Sequence, residues 1–332
     1  MSALKTRLAP VAARLERVIE PLFTSKRTDA PLIEPYIGYS TADTIVARGR
    51  VLGSIRRKSP RADQSWFTNL RQMISLFLTD EVADVTVRSG EHSAVSDEEG
   101  YFTLILPRAD VSPGWADVKV EEPVEVHLPV LVSHPKAEYG VISDIDDTMM
   151  ETGAYSLWRN LWTSMTGNAL TRHVFPDAVK LMQVLHRDLN PIFYVSSSPW
   201  NLHQFLEDIF ERNGLVRGPK FLRDLGISET KLITGTHGDH KGSAVDRILA
   251  ANPDLGFVLI GDTGQHDAEV YLHAVERHPG RIVRVILRAL GPGADAKDMD
   301  FARKIERMGI PVHVGADYSR VIAALEEGSV LP

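Results

Sequence analysis

The pattern of hydrophobic positions changes near residue 135 and divides the chain into two parts. In the first part, short runs rich in Val, Ile and Leu are bounded by Gly, Pro, Asp and Ser, a pattern typical of β-strands joined by turns. Strands are predicted over residues 44–52, 84–88, 101–106 and 124–132. A helix predicted over residues 64–78 interrupts them, because apolar side chains recur on one side of it. We therefore predict a small, β-rich, sandwich-like domain over residues 31–135.

From residue 139 onward, strand patterns alternate with helix patterns. Strands are predicted over residues 140–143, 192–195, 257–260 and 282–287. Helices are predicted over residues 177–187, 199–213, 243–251 and 267–276, and a last strand and helix over 312–314 and 319–326. Strands this short and uniformly apolar are buried on both faces, as in a parallel sheet covered by helices. We predict an α/β domain over residues 136–332 that binds its ligands at the carboxyl ends of the strands.

Residues 1–30 carry a third pattern, that of an amphipathic helix with a kink at Pro10. Leu and Val recur at helical spacing, with Lys and Arg on the other faces. Two interpretations stay open: the helix packs on its own protein, or it lies on an anionic membrane surface. A second apolar helical stripe, which includes Trp158 and Trp162, leaves the same choice between packing in the protein and contact with lipid or another partner.

Composition narrows the functional classes. A length of 332 residues favours two domains, and a net charge of −7 argues against a nucleic-acid binder that works by bulk electrostatics. The chain has no cysteine, which excludes disulfides, thiolate zinc sites and a cysteine nucleophile. It shows neither a membrane-spanning run nor the apolar core of a signal peptide. We therefore expect a cytoplasmic location, with peripheral membrane contact as the alternative.

Polar residues follow three of the predicted parallel strands. The first strand is followed by the run from Asp144 to Thr148, the second by Ser196, Ser197 and Ser198, and the third by Asp262, with Asp267 five residues on. Lys241 opens a predicted helix. Because the carboxyl ends of parallel strands meet at one edge of the sheet, we expect the strand-end residues to face one crevice.

Several carboxylates in one crevice repel one another, and a hard divalent cation relieves this repulsion. Ligation by oxygen atoms alone, from few protein carboxylates, suits Mg²⁺. We predict a Mg²⁺ site formed by Asp144, Asp146 and Asp262. Asp267 is a fourth carboxylate that binds the ion or orients its ligands.

The spacing of these residues predicts phosphoryl transfer. Asp144, the first residue beyond its strand, is predicted to be the nucleophile, and Asp146 the acid and base that protonates the leaving oxygen and deprotonates water. Ser196 is predicted to donate a hydrogen bond to a phosphoryl oxygen, beside a helix that Ser198 caps. Lys241 supplies a fixed positive charge. Further contacts to the substrate are predicted from Thr148, Ser197, Arg223 and Arg288.

The run Asp-x-Asp-x-Thr at 144–148, Ser196, Lys241 and Gly-Asp-x-x-x-x-Asp at 261–267 resemble, in this order, the four motifs of the haloacid-dehalogenase (HAD) superfamily. The amino-acid sequences of residues 143–148, 194–200 and 261–267 are similar to those of the App1-type branch of this superfamily, the DUF2183 domain. The resemblance spans roughly residues 136–320. It implies a Rossmann-like HAD sheet and a Mg²⁺-dependent phosphatase that forms an aspartyl-phosphate, with phosphatidate or a related lipid as the leading substrate.

Two other functions stay open. The first is a HAD phosphatase for a phosphoester that is not a lipid. The second is a non-catalytic interaction or scaffold protein, in which the first domain binds a protein partner and the HAD fold is retained without activity. The four residues Asp144, Asp146, Lys241 and Asp262 argue against the second, because a scaffold has no need of an intact set of catalytic groups.

Overall fold

A computed structural model describes residues 31–53, 81–108, 111–151, 174–223, 237–290 and 296–327. The predicted helices at 1–30 and 64–78 and the stripe around Trp158 and Trp162 lie outside these residues. None of the helices within them is long and apolar enough to cross a membrane.

The first part of the chain forms a mixed five-stranded sheet and a separate two-stranded hairpin. The sheet strands are β1 (Leu32–Ser40), β2 (Thr44–Leu52), β5 (Tyr101–Pro107), β6 (Gly114–Val120) and β7 (Val126–Val132), in the order β5-β2-β1-β7-β6. The hairpin consists of β3 (Thr86–Ser89) and β4 (His92–Val95). Strands β1 and β7 pair in parallel, and the other neighbours are antiparallel.

The four strands predicted in this part are present. Each begins and ends within about two residues of its predicted limits. Strands β1, β4 and β6 were not predicted. In β6 every second residue is exposed, among them Asp117 and Trp115, so the strand lacks the apolar run that identifies a buried one. The hairpin packs on the sheet through Val87, which is fully buried with Val51 and Phe102. The finer prediction, a sandwich-like domain, stays a prediction.

The second part forms a parallel sheet, as predicted, and the sheet has six strands where five were predicted. Its strands are β8 (Gly140–Asp144), β9 (Ile192–Pro199), β10 (Lys220–Arg223), β11 (Phe257–Asp262), β12 (Ile282–Arg288) and β13 (Val312–Gly315). Every neighbouring pair in the order β10-β9-β8-β11-β12-β13 is parallel. Along the chain, β8, β9 and β10 follow one another toward one edge of the sheet, and β11, β12 and β13 then follow one another toward the other edge. Ligands of open parallel sheets bind beyond the carboxyl ends of the strands at such a reversal.

Helices cover both faces of this sheet. They are α1 (Pro176–His186), α2 (His203–Asn213), α3 (His237–Ala251), α4 (Asp267–Arg277), α5 (Ala296–Arg307) and α6 (Ser319–Glu326), with a short 3-10 turn at Trp200–Leu202. Successive side chains of a strand point to opposite faces. Accordingly, Ile142 packs with residues of α3, α4 and α5, whereas Val141 packs with residues of α1, α2 and α6.

The two sheets are in direct contact. Tyr39 and Val46 of the first sheet belong to the same apolar cluster as Phe221 of β10. The hydroxyl of Ser133 donates to Oδ1 of Asn252 (2.6 Å), and a guanidinium nitrogen of Arg48 donates to the carbonyl of Lys220 (3.2 Å). The first sheet therefore packs against the half of the α/β sheet that contains β9 and β10.

Candidate active site

The carboxyl ends of β8, β9 and β11 bring three groups of predicted site residues together. Strand β8 ends at Asp144 and β11 at Asp262, while Ser196 and Ser198 lie near the end of β9. A tight turn follows Asp144: the amide of Met149 donates to the carbonyl of Ile145 (2.9 Å), and Asp147 has a φ of 57°. This turn keeps Asp146 close to the strand end from which Asp144 projects.

Three carboxylates form a buried group at this edge. Asp144, Asp262 and Asp267 each offer an oxygen, and the three oxygens lie within 4.8 Å of one another. Oδ2 of Asp144 and Oδ1 of Asp262 are buried without a hydrogen-bond donor among the residues that the structure describes. A buried carboxylate oxygen without a partner is costly, and a divalent cation removes that cost. The group therefore fits a metal ion that prefers oxygen ligands.

Lys241, in the first turns of α3, offsets part of this negative charge. Its Nζ lies 2.8 Å from Oδ1 of Asp144 and donates to Oδ1 of Asp267. Burial opposes the positive charge, but Asp144 and Asp267 outweigh it, so the pKa of Lys241 is raised. One ammonium group cannot balance three ionised carboxylates, so full ionisation of the acids requires a further cation.

The same surroundings raise the pKa of two of the acids. Burial is the largest cause of the raised pKa of Asp144; Asp267 and Asp146 add to it, and Lys241 opposes it. Burial, followed by the charges of Asp267 and Asp144, raises the pKa of Asp262 to about 9. A bound cation would lower both pKa values, because it favours the charged carboxylates.

Asp267 is held more tightly than the other two acids. Its Oδ2 accepts a hydrogen bond from the amide of Asp262 (3.1 Å), and its Oδ1 accepts one from Lys241. Gly261 permits this approach, since a Cβ at that position would lie 2.5 Å from Oδ2 of Asp267. Within the described residues, the carboxylate of Asp262 is held at one oxygen, where Oδ2 accepts from the amide of Gly264 (2.6 Å). Asp267 therefore orients both Lys241 and Asp262.

Asp146 lies among the serines instead of in the group of three carboxylates. Its Oδ2 accepts hydrogen bonds from the hydroxyls of Ser196 (2.7 Å) and Ser198 (3.0 Å), and the amide of Ser198 donates to Oγ of Ser196 (2.9 Å). The predicted ligation of a metal ion by Asp146 thus stays a prediction. The prediction that Ser198 caps a helix is wrong: Pro199 precedes the 3-10 turn, and the Ser198 hydroxyl bonds to Asp146.

Four residues were predicted to bind the substrate. Ser197 is half-buried between the two serines that contact Asp146, whereas Thr148 is fully buried inside the turn after β8. Arg223, at the end of β10, is half-buried and close enough to His240 to contribute to lowering the pKa of that imidazole, behind the larger effect of burial. The substrate contacts of these three residues stay predictions.

Arg288 lies in the protein interior. Its guanidinium donates to the carbonyls of Thr148 (3.2 Å) and Ala316 (3.1 Å) and to Oδ2 of Asp177 (2.9 Å). The rings of Phe175 and Tyr318 lie over it, with centroids 4.1 and 4.0 Å from Cζ. These contacts use all three nitrogens and fix the turn that carries Asp144 and Asp146. They do not support the predicted contact between Arg288 and the substrate.

Two contacts at the site were not predicted. The side chain of Gln265 donates to the carbonyl of Asp146 (3.0 Å), which connects the loop after β11 to the turn after β8. Trp200 follows the serines and stacks on Tyr36 of the first sheet. Gln265 lies between Asp262 and Asp267 in the sequence, and that position was the only available signal; nothing in the sequence pairs Trp200 with Tyr36.

Residues 139–289 match the family model described as the catalytic domain of phosphatidate phosphatase APP1. The matched range contains the buried acids, the serines and Lys241. Over residues 139–289 the chain is therefore similar to APP1-type catalytic domains. The first sheet, at residues 32–132, lies outside the matched range.

Two fungal proteins are similar to this chain over more residues than the family model covers. Over 288 residues the chain is 24% identical to phosphatidate phosphatase APP1 of Saccharomyces cerevisiae, covering 80% of the chain and 49% of that relative. Over 230 residues it is 23% identical to an uncharacterized protein of Schizosaccharomyces pombe, covering 65% of the chain and 37% of that relative. The chain thus spans half or less of the length of either relative. The first of these matches extends beyond the catalytic domain, because it is longer than the range of the family model.

Proposed function

We propose that this protein is a phosphatase of the HAD type that hydrolyses a phosphomonoester through an aspartyl-phosphate on Asp144. The observation that carries the proposal is the state of Asp144 within an APP1-type domain. Its carboxylate is buried at the end of β8, with one oxygen 2.8 Å from Lys241 and the other without a hydrogen-bond donor in the described part of the chain. Because a carboxylate has two oxygens, Asp144 is suited to attack phosphorus with one of them while the other holds a cation. The strand order, reversing beside β8, supports the Rossmann-like assignment.

In this proposal each residue has one task. Asp144 forms the bond to phosphorus, and Lys241 balances the charge of Asp144 and of the phosphoryl group. Asp146 gives a proton to the leaving oxygen and later takes one from the water that cleaves the aspartyl-phosphate. Ser196 and Ser198 orient Asp146 through their two hydrogen bonds. Gln265 keeps the backbone of Asp146 in place.

We further propose that the cation is Mg²⁺, held by Asp144 and Asp262 with Asp267 beside them. When bound, it neutralises negative charge on the transferring phosphoryl group. The donor set supports this assignment, since it consists of carboxylate oxygens alone. Asp267 is already engaged by Lys241 and by the amide of Asp262, so its contribution is to hold the other groups in position.

Phosphatidate is the leading substrate because the similar yeast protein carries the name phosphatidate phosphatase. An enzyme that acts on this lipid must reach a membrane surface, so we propose a cytoplasmic protein with peripheral membrane contact. A soluble phosphoester is the second candidate, and a non-catalytic scaffold the third. The engaged Lys241 and the oriented Asp146 favour the two enzymatic candidates over the scaffold.

The test is phosphate release from phosphatidate in mixed micelles, with a panel of soluble phosphoesters in parallel. Wild type with Mg²⁺ should release phosphate, and Asp144→Asn should lower the rate by at least about 10³-fold, as loss of a nucleophile does in other enzymes. Turnover of a soluble ester without turnover of the lipid would end the lipid assignment. Equal rates for wild type and Asp144→Asn on every ester, with no binding of beryllium fluoride, would leave the scaffold as the function.

A further inference from the structure

The first sheet contacts the α/β domain through a group of aromatic rings, the ring cluster, formed by Tyr36 of β1, Tyr101 of β5, Trp200 of the 3-10 turn and His203 of α2. Tyr36 and Trp200 stack with centroids 4.7 Å apart and planes at 17°. Tyr36 also lies 4.3 Å from the ring of His203, and Tyr101 lies 6.2 Å from that of Trp200. Tyr36 and His203 are buried. Stacked rings have a preferred geometry, so the cluster fixes the orientation of Trp200.

Arg48 of β2 completes this contact. Its guanidinium lies 5.5 Å from the centroid of Trp200 and 4.8 Å from that of Phe221. One of its nitrogens donates to the carbonyls of Ile37 (2.6 Å) and Lys220 (3.2 Å), which lie in the two different sheets. Arg48 thus ties β1 to β10 and holds a positive charge against the rings, an attraction that strengthens where water is excluded.

Trp200 is connected to the candidate active site by only one residue. Ser198 donates to Asp146 and to Oγ of Ser196, and Pro199 separates it from Trp200. The proline ring restricts the backbone at that point, and Pro199 is paired in register with Arg223 of β10. A displacement of Trp200 is therefore transmitted to Ser198, and from there to the carboxylate of Asp146.

We propose that Tyr36 and Arg48 are positioning residues for the α/β site: by holding Trp200, the first sheet keeps Ser196 and Ser198 in place against Asp146. The catalytic consequence rests on the proposed function, whereas the ordering of residues 196–198 at the end of β9 does not. A misplacement of about 1 Å at a reacting group costs on the order of 10²-fold in rate. Loss of the ring contact should therefore lower kcat by about 10- to 100-fold with little change in KM.

The test compares Tyr36→Leu and Trp200→Ala with the conservative variant Tyr36→Phe, which keeps the stacked ring. Trp115→Ala is the matched control. Trp115 of β6 also lies against the α/β part, 4.3 Å from the guanidinium of Arg217, but the residue that it contacts is not next to Ser196–Ser198 in the chain. Two properties of the full chain are measured. One is hydrogen exchange of the peptide covering residues 196–203, and the other is kcat and KM for Mg²⁺-dependent hydrolysis of p-nitrophenyl phosphate and of phosphatidate in micelles.

The proposal expects faster exchange at residues 196–198 in Tyr36→Leu and Trp200→Ala, near wild-type exchange in Tyr36→Phe and Trp115→Ala, and a loss that falls on kcat. Unchanged exchange at residues 196–198 in a folded Trp200→Ala would overturn it. So would equal losses of kcat in Trp115→Ala and Trp200→Ala, which would indicate general loosening of the contact between the sheets. If wild type hydrolyses neither ester, the proposed function loses its support. The exchange measurement still decides whether the first sheet orders residues 196–198.

Discussion

The Nζ atom of Lys241 lies 2.8 Å from Oδ1 of Asp144, and both side chains are almost completely buried. The pair is not isolated, since the same ammonium group donates to Asp267. Lys241 therefore fixes one oxygen of Asp144 and leaves the other for different chemistry. This relationship distinguishes an oriented carboxylate from a merely buried one.

Replacement of Lys241 by Met removes the charge and keeps the length of the side chain. We expect kcat to fall by about 10²- to 10³-fold, because the charge on the transferring group is no longer balanced. Steady-state kinetics with Mg²⁺ would measure this change. A rate within threefold of wild type would show that Lys241 is structural.

Mg²⁺ should stabilise the folded protein, because it relieves the repulsion among Asp144, Asp262 and Asp267. At a concentration of about 100 times Kd the expected gain is about 2.7 kcal/mol, which thermal unfolding with Mg²⁺ or EDTA would detect. Asp262→Asn should abolish the gain. Asp300→Asn is the control, since Asp300 lies on the surface of α5 and bonds to Lys304. The metal assignment would be wrong if Asp262→Asn and Asp300→Asn gained equally.

The affinity for Mg²⁺ should rise with pH. Burial and the neighbouring acids raise the pKa of Asp262 to about 9, so this carboxyl holds a proton at lower pH, and they also raise the pKa of Asp144. A cation must displace those protons, and its affinity should therefore increase about tenfold per pH unit for each proton released. Calorimetry between pH 6.5 and 9, in buffers of different ionisation enthalpy, would count the protons. A flat affinity without proton release would contradict the raised pKa values.

Arg288 should matter for stability more than for substrate binding. Arg288→Met takes the ion-pair partner from the half-buried Asp177 and removes donors from two buried carbonyl contacts, so we expect a loss of about 3 kcal/mol in the free energy of unfolding. Lys304→Met breaks an exposed pair and should cost much less, because solvent screens such pairs. Urea unfolding measures both. Similar small losses in the two variants would return Arg288 to the list of substrate-binding candidates.

The sequence identified those parts of the fold that have a strong local pattern. Strands β8, β9, β11 and β12 open with apolar residues and begin where they were predicted to begin. Strand β10 was missed because only four residues form it, with Lys220 and Arg223 at its ends, and α5 was missed because most of its residues are charged. A short or highly charged element depends on its neighbours in the fold, which a local pattern does not contain.

The site shows the same difference between features that follow from a local pattern and features that depend on the fold. Asp144, Asp262 and Asp267 could be placed in one crevice because parallel strands end at the same edge of a sheet. The engagement of Asp146 by Ser196 and Ser198 depends on how two loops approach each other, and the stacking of Trp200 on Tyr36 depends on how two sheets pack. Neither distance follows from spacing along the chain. The residue types at the site could therefore be predicted from the sequence, whereas their partners could not.

The central claim is that Asp144 becomes phosphorylated, and chemical trapping of the intermediate tests it most directly. Borohydride reduces an aspartyl-phosphate to homoserine, which mass spectrometry of the peptide containing residue 144 detects. The account predicts homoserine at position 144 when wild type turns over substrate with Mg²⁺, and unmodified peptide when EDTA replaces Mg²⁺. Steady turnover with no modification at Asp144, or modification at Asp146 instead, would contradict it.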